Sequence, residues 1–441
     1  ASVSKEQYRE HFTQDQEETA QLAGLLFQRM VTDSRREEYT YYSMGLQKLF
    51  RNGAVLSPNL SVLDTEDLSR DIENLNRSEV ALDITIPLMR GLGEHATGAE
   101  EKAARSTLSA NRHLSRHNIS GRILVSANNY WSCLAAAESL EILEDMEKRA
   151  EELFDLVERL VQAGEMEPAV LREAEAQLLE RKGDLQESRL RTQEARQALA
   201  VSLGYAPEEM VDAPLPEGPF PPVVNDWAFD RDLARAYVDQ ALGHRGDYLA
   251  SKIGIETEEI LMAAAENRIK PRLDLGLSLG VSGLSEEEDD ARHFKSLYHD
   301  HAGPNVFASL TFEWPIANNA AKGEYVRRRS LVNEARLTAE DLSHSIASEV
   351  LVAVERIRSA SREYRLAVRS VQAYRDAADH ERYKVREGMS DLGDLISAED
   401  RYLSARARQV EITRRYASAL AEVRYVTGRL LSEEEEGFRF K

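Results

Sequence analysis

Few residues of this 441-residue chain have the types and spacing that chemistry needs. His299–Asp300–His301, with His293 nearby, gather imidazoles and carboxylates in one acidic stretch. Such a stretch can touch a metal, but spacing in a loop fixes no ligand geometry. His113 and His117 stand four apart and share a helix face, with no third ligand apparent. The single cysteine, Cys133, lies in YWSCLAAA on a helix and reads as a packed side chain. It also rules out an intramolecular disulfide framework and any Cys-rich zinc site. No P-loop, GxSxG elbow, HExxH or strand-to-helix GxGxxG is present, and RGLG at 90–93 is too short to count. The expectation is therefore no enzyme, no cofactor and no metal. What remains is electrostatic: Glu165 and Glu167, and Asp391 and Asp394, each follow or flank a glycine turn. Acids in a first helical turn are favoured by the helix dipole, so an ordinary solvated helix start is one reading of them.

The elements that carry these turns come as a pair. Gly164–Gly204 lies gap-free on Gly388–Gly428, with Leu171 on Leu395, Ala174–Glu175 on Ala398–Glu399 and Ala195 on Ala419. One structural unit is used twice. Upstream of each copy runs a proline-free stretch of helix formers, from Gly98 to about Gly164 and from about Ala321 to Glu387. At 1.5 Å per residue each spans about 100 Å, a length that globular domains seldom contain. Each turns at its glycine and returns as a second helix, giving two long antiparallel hairpins.

Strands precede the helices. Residues 39–50 are aromatic and β-prone and end at the turn Arg51–Asn52–Gly53, after which a polar stretch runs to about Ser78. Val80, Leu82, Ile84, Ile86 and Leu88 then alternate with Ala81, Asp83, Thr85 and Pro87, a period of two. Leu273, Leu275, Leu277, Leu279 and Val281 repeat the pattern, as do Val306, Ala308, Leu310, Phe312, Trp314 and Ile316. Six of the twelve prolines fall between Tyr205 and Asn225, which marks a linker. The expected organisation is an N-terminal helix over 1–38, a strand pair with its loop over 39–90, and a helical hairpin over 91–204. A linker with short helices covers 205–269, a second strand pair 270–317, a second hairpin 318–431 and a tail 432–441.

Each strand is about 9–11 residues long, enough to cross a bilayer when tilted. An amphipathic sheet packed on helices is the alternative. The loops are long and acidic, which suits the outside mouth of a membrane barrel better than a soluble sheet. Four strands cannot close a barrel, and a spanning sheet cannot leave edges open in lipid, so a membrane reading forces oligomerisation. Two chains would give eight strands and three would give twelve, with room for a lumen. The net charge of −21 argues against unspecific nucleic-acid binding. No apolar run approaches 18 residues, so no transmembrane helix is expected. A soluble acidic coiled-coil scaffold is the competing reading; a general diffusion porin is weaker, because porins lack long helical rods.

Together, LFRNG (49–53), LDITIPLMRGLG (82–93), KPRLDLGLSLG (270–280), FASLTFEWPIANNAAKGEY (307–325) and the two G-x(6)-L-x-x-A-E segments resemble the TolC-like outer-membrane efflux proteins. The resemblance covers about Tyr39 to Leu431. It implies a mixed α and transmembrane β fold, with a two-fold internal repeat of strand, strand, long helix and helix. It also implies a homotrimer with a 12-strand barrel in the outer-membrane lipid and a long helical barrel across the periplasm. The function implied is the exit duct of a tripartite efflux or type I secretion system, partnered by a periplasmic adaptor (membrane fusion) protein and an inner-membrane transporter. Family members constrict the periplasmic entrance near the second turn, which maps onto Ser390, Asp394 and Ser397, with Val170 in the first repeat. Asp394 fits the family's acidic ring. Ser390 stands where some members have an arginine link and Ser397 where some have a second Asp, so Asp391, Glu165 and Glu167 are the compensating candidates. A ring of three Asp394 would favour cations. Adaptor docking falls on the tips, at Gly164, Leu171 and Ala174 and at Gly388, Leu395 and Ala398. Knobs-into-holes packing is the alternative role for the leucines.

Overall fold

A computed structural model describes residues 2–11, 34–67, 75–224, 231–285, 296, 302–387 and 389–431. The chain divides into two compact units, Ala1–Thr107 with Ile255–Ala335, and Leu108–Gly254 with Arg336–Lys441.

The first unit carries one antiparallel sheet. Its strands are β1 (Ser2–His11), β2 (Ser34–Gly45), β3 (Lys48–Leu49), β4 (Val55–Asp67), β5 (Leu75–Pro87), β6 (Arg272–Ser285) and β7 (Gly303–Glu313). They lie in the order β1-β2-β4-β5-β6-β7, with β3 also on β4. Register makes the sheet two-faced. Rows Leu56–Ile84–Leu277–Ala308, Pro58–Leu82–Leu279–Val306 and Leu60–Val80–Val281–Pro304 run straight across four strands. The opposite face is mostly polar, carrying Ser57–Asp83–Ser278–Phe307 and Asn59–Ala81–Gly280–Asn305. There Asn59 donates to Asp83 at 2.5 Å and Asn305 to Ser282 at 2.7 Å. The apolar face is most open at β7, where Val306 is 77% exposed and Leu310 65%, while Val62 of β4 is buried.

Three expectations are corrected here. The N-terminal helix expected over 1–38 begins instead as a strand, Ser2–His11, because pairing with β2 along ten residues outweighs local helix preference. Residues 12–33 lie outside the described residues. The polar stretch after Gly53 contains a whole strand, β4, which pairs with β5. Its alternation Leu56, Leu60, Val62 was hidden by Pro58 and by the acids Asp64, Glu66 and Asp67. Among the described residues the sheet therefore holds seven strands where four were expected.

Helices follow the strands twice. Short α1 (Glu94–Thr97) precedes α2 (Ala99–Gln162, 64 residues) and α3 (Pro168–Leu203, 36 residues). Then come α4 (Arg231–His244) and α5 (Gly246–Ile269), and after β7 come α6 (Asn319–Arg386, 68 residues) and α7 (Leu392–Val426, 35 residues). At 1.5 Å per residue α2 and α6 reach about 100 Å. Among the described residues no helix is apolar enough to cross a membrane.

The second unit has the buried core. Ile346, Val350, Ala353 and Ile357 of α6 and Tyr416 of α7 are fully buried and pack with Ala241 of α4. Small residues let the backbones approach: Gly246 meets the His113 carbonyl, and Gly428 (φ 73) meets His244 and Arg245, where a Cβ would clash. A charged cluster sits at this crossing. The Arg245 side chain, 5% exposed, donates to Asp247 at 2.7 Å and also to Glu349. Burial works against its charge, yet the bonds to Asp247 and Glu349 outweigh it and raise its pKa. The His117 ring meets Tyr425 Oη through Nε2 at 3.1 Å and Asp247 through Nδ1 at 3.6 Å.

The proline-rich segment 205–224 is strapped down. Arg196 donates to the carbonyls of Val211 and Ala213, Gln197 to Met210, and Tyr130 to Glu217. Trp131 stacks on Phe220, and Tyr416 Oη accepts from the Val224 amide.

Candidate functional site at the helix turns

The two turns share the closing bond of the long helix and differ in how the returning helix starts. Helix α2 ends on Gly164 at φ 77, with Gly164 N–H on Val161 O at 3.0 Å and Glu165 N–H on Leu160 O at 2.9 Å. That pair of bonds is the Schellman closure, which needs a left-handed residue and so favours glycine. Pro168 then opens α3, where its missing N–H costs nothing. At the second turn Gly388 lies outside the described residues, but Met389 N–H reaches Lys384 O at 2.8 Å, the counterpart of Glu165 on Leu160. Asp391 caps α7, its Oδ1 accepting from the Asp394 amide at 2.9 Å.

The structure sorts the sequence-nominated residues into two sets. Gly164, Glu165, Glu167, Asp391 and Asp394 are exposed. Ser390 is half-buried and donates to Glu381 and, at 3.5 Å, to Asp394. That bond, with Lys384 beside it, lowers the pKa of Glu381. The second set is packed. Ala174 is buried with Val157, and Val170, Leu171 and Leu395 pack against them with Phe154, Val161 and Ile396. Leu171 and Leu395 thus join α3 and α2 to α7, which is the packing role for the leucines. Ala398 and Ser397 are half-buried, and Ser397 lines a groove of about 530 Å³ with Glu173, Tyr374, Asp400, Arg401 and Arg408.

Ion pairs between the hairpins went unread in the sequence. Arg181 of α3 bonds Asp400 of α7 at 2.7 Å, and Arg406 of α7 pairs with Asp145 of α2 at 3.6 Å. Arg382 bonds Glu399 across the second hairpin at 2.7 Å. Burial pushes the Asp400 carboxyl up, and Arg181 acts against that. The only hint was the run of arginines and acids in AEDRYLSARARQ; which of them meet depends on helix facing over hundreds of residues.

His117 meets Tyr425 Oη at 3.1 Å and faces Asp247 at 3.6 Å, and among the described residues no three metal-ligating groups gather. His293, His299 and His301 lie outside the described residues. Cys133 is fully buried, and burial raises its thiol pKa, as a packed side chain requires.

A sheet with one apolar face, open at β7, followed twice by a long helix and a shorter returning one, defines a membrane-channel class of protein. The sequence pattern of the outer membrane efflux protein family matches residues 68–205 and 237–429, and the chain belongs to that family. It is therefore an outer-membrane protein that extends into the periplasm, from a family of channels rather than enzymes. No curated protein matches it in sequence. Among solved structures it is similar to the outer membrane channel CmeC of Campylobacter jejuni, with 16% identity, TM-score 0.67, and coverage of 95% of this chain and 82% of CmeC. The outer membrane protein VceC of Vibrio cholerae has 16% identity and TM-score 0.65, with 93% of this chain and 90% of VceC covered. The open state of the Neisseria gonorrhoeae MtrE channel has 17% identity and TM-score 0.63, with 94% and 84% covered. At these identities the likeness is one of fold.

Proposed function

We propose that the chain is the exit duct of a tripartite efflux pump or a type I secretion system, acting as a homotrimer with a periplasmic adaptor and an inner-membrane transporter. The observation that carries this reading is the apolar row set spanning β4 to β7, exposed at β7, with a mostly polar opposite face. In lipid the apolar face is satisfied and the polar face lines water. Three copies of the four strands β4–β7 make a 12-strand barrel wide enough for an open lumen. Exposed Asp394, with Asp391, Ser390, Ser397, Glu165 and Glu167 near it, forms an acidic constriction at the turns. Val170, Leu171, Ala174 and Leu395 hold the hairpins together behind it. Exposed Gly164 and half-buried Ala398, with Gly388, are the candidates for the adaptor surface.

Conductance in planar lipid bilayers tests this. Detergent-purified protein is expected to give discrete low-conductance steps that Asp394→Ala raises several-fold. Steps unmoved by Asp394→Ala put the constriction elsewhere; protein that stays soluble without detergent and never inserts overturns the duct.

A further inference from the structure

In a single chain the outer edge of β4 is already taken. β2 covers Asn59–Asp67, the Leu46 amide bonds Pro58 O at 3.0 Å, and Lys48–Leu49 pair with Leu56–Val55. At the level of Val55–Asn59 the outermost strand is thus residues 45–49, because β1 pairs only with Ser34–Ser43. The far edge of the sheet is β7.

Two independent observations say that this segment cannot stay there in a closed membrane barrel. The first is direction. Every pairing in the sheet is antiparallel, so β7 runs the same way as β2 and β3, whereas β4 runs against it. Copies joined through β7 and the 45–49 edge would meet in parallel. Single-chain outer-membrane barrels close with antiparallel strands. The second is charge. Lys48 stands opposite Leu56, in the row Leu56–Ile84–Leu277–Ala308 at the centre of the apolar face. A lysine on a lipid-facing row is destabilising, the more so the deeper it lies. The β7 of another copy has neither fault: it is antiparallel to β4 and brings Val306, Ala308, Leu310 and Phe312.

We infer that residues 45–49 are a placeholder for β7 of a second copy, held on β4 in the single chain and exchanged for that strand on assembly. The inference rests on the duct reading. Before assembly the segment blunts an edge that would otherwise template aggregation. The exchange is near balance, since one set of ladder bonds replaces another, and the assembled state gains a lipid-facing row without lysine.

The test is a lock. Ser43 and Ser61 are register partners on the polar face, and antiparallel partners lie about 4.5–5.5 Å apart, within disulfide reach. Buried Cys133 is left in place. Ser43→Cys/Ser61→Cys is purified oxidised and reduced, and compared with the parent by native mass and bilayer conductance. Circular dichroism of both forms checks folding. The oxidised form is expected to remain a single chain with at least a tenfold loss of conducting insertions, and reductant is expected to restore assembly. An oxidised form that assembles and conducts like the parent overturns the placeholder and leaves the duct standing. A parent that neither assembles nor conducts overturns the duct and the placeholder together.

Discussion

The sheet and the helical unit use apolar residues in opposite ways. On β7 the large side chains point out and stay uncovered, with Phe312 at 59% exposure. In the helical unit Ile346, Val350 and Ile357 are at 0%, while the uncovered surface is laced with Glu–Arg pairs such as Glu187–Arg191. Burial from water stabilises the helices; in the proposed duct, lipid supplies the missing half of the sheet's burial. Two solvents select two hydrophobic patterns within one chain.

Substitutions that act in only one solvent sharpen this difference. Ile346→Ala empties the helical core and should cost about 2–5 kcal/mol, by the same amount in thin and thick bilayers, read as a lower thermal midpoint. Leu277→Lys should cost about 2–4 kcal/mol in lipid, falling as the bilayer thins, and should leave the helical core unaltered by hydrogen exchange. Equal loss of stability in detergent-free water would instead mean that Leu277 packs against protein. Asp391→Ala removes the cap of α7 and should destabilise the turn by about 0.5–2 kcal/mol, visible as faster exchange at the Asp394 amide.

The smallest effect is a pH dependence confined to the helical unit. Burial depresses the pKa of His117 below 6.5, and Arg245 adds to this, while Asp247 and Glu349 oppose it. The unfolded chain then binds more protons than the folded one below that pH, so stability is full above 6.5 and declines as pH falls toward the folded pKa. His117→Gln should flatten a melting profile between pH 7.5 and 5.5; a profile as steep as the parent's would locate the titration elsewhere.

How much was legible follows the range of each interaction. The helices could be read because their signals are local: no proline inside, a Gly164 closure, then Pro168. β6 was legible from strict alternation. β4 was not, because Pro58 sits mid-strand where its carbonyl accepts from Leu46 and no N–H is needed. β1 was not, because nothing within Ser2–His11 except its pairing with β2 makes it a strand. At the turns the glycines and the Asp391–Asp394 spacing could be read, but Arg181–Asp400 joins residues far apart in sequence whose meeting is set by helix rotation.

The strapped segment 205–224 has a consequence for handling the protein. By composition it is the natural place for a protease to separate the two halves, but Tyr130, Arg196 and Gln197 hold its carbonyls. A protease must lift a segment free and extend it before cutting, so each of those bonds is a lock on cleavage. The halves should therefore stay one polypeptide under mild digestion, and Arg196→Ala should open a nick between them.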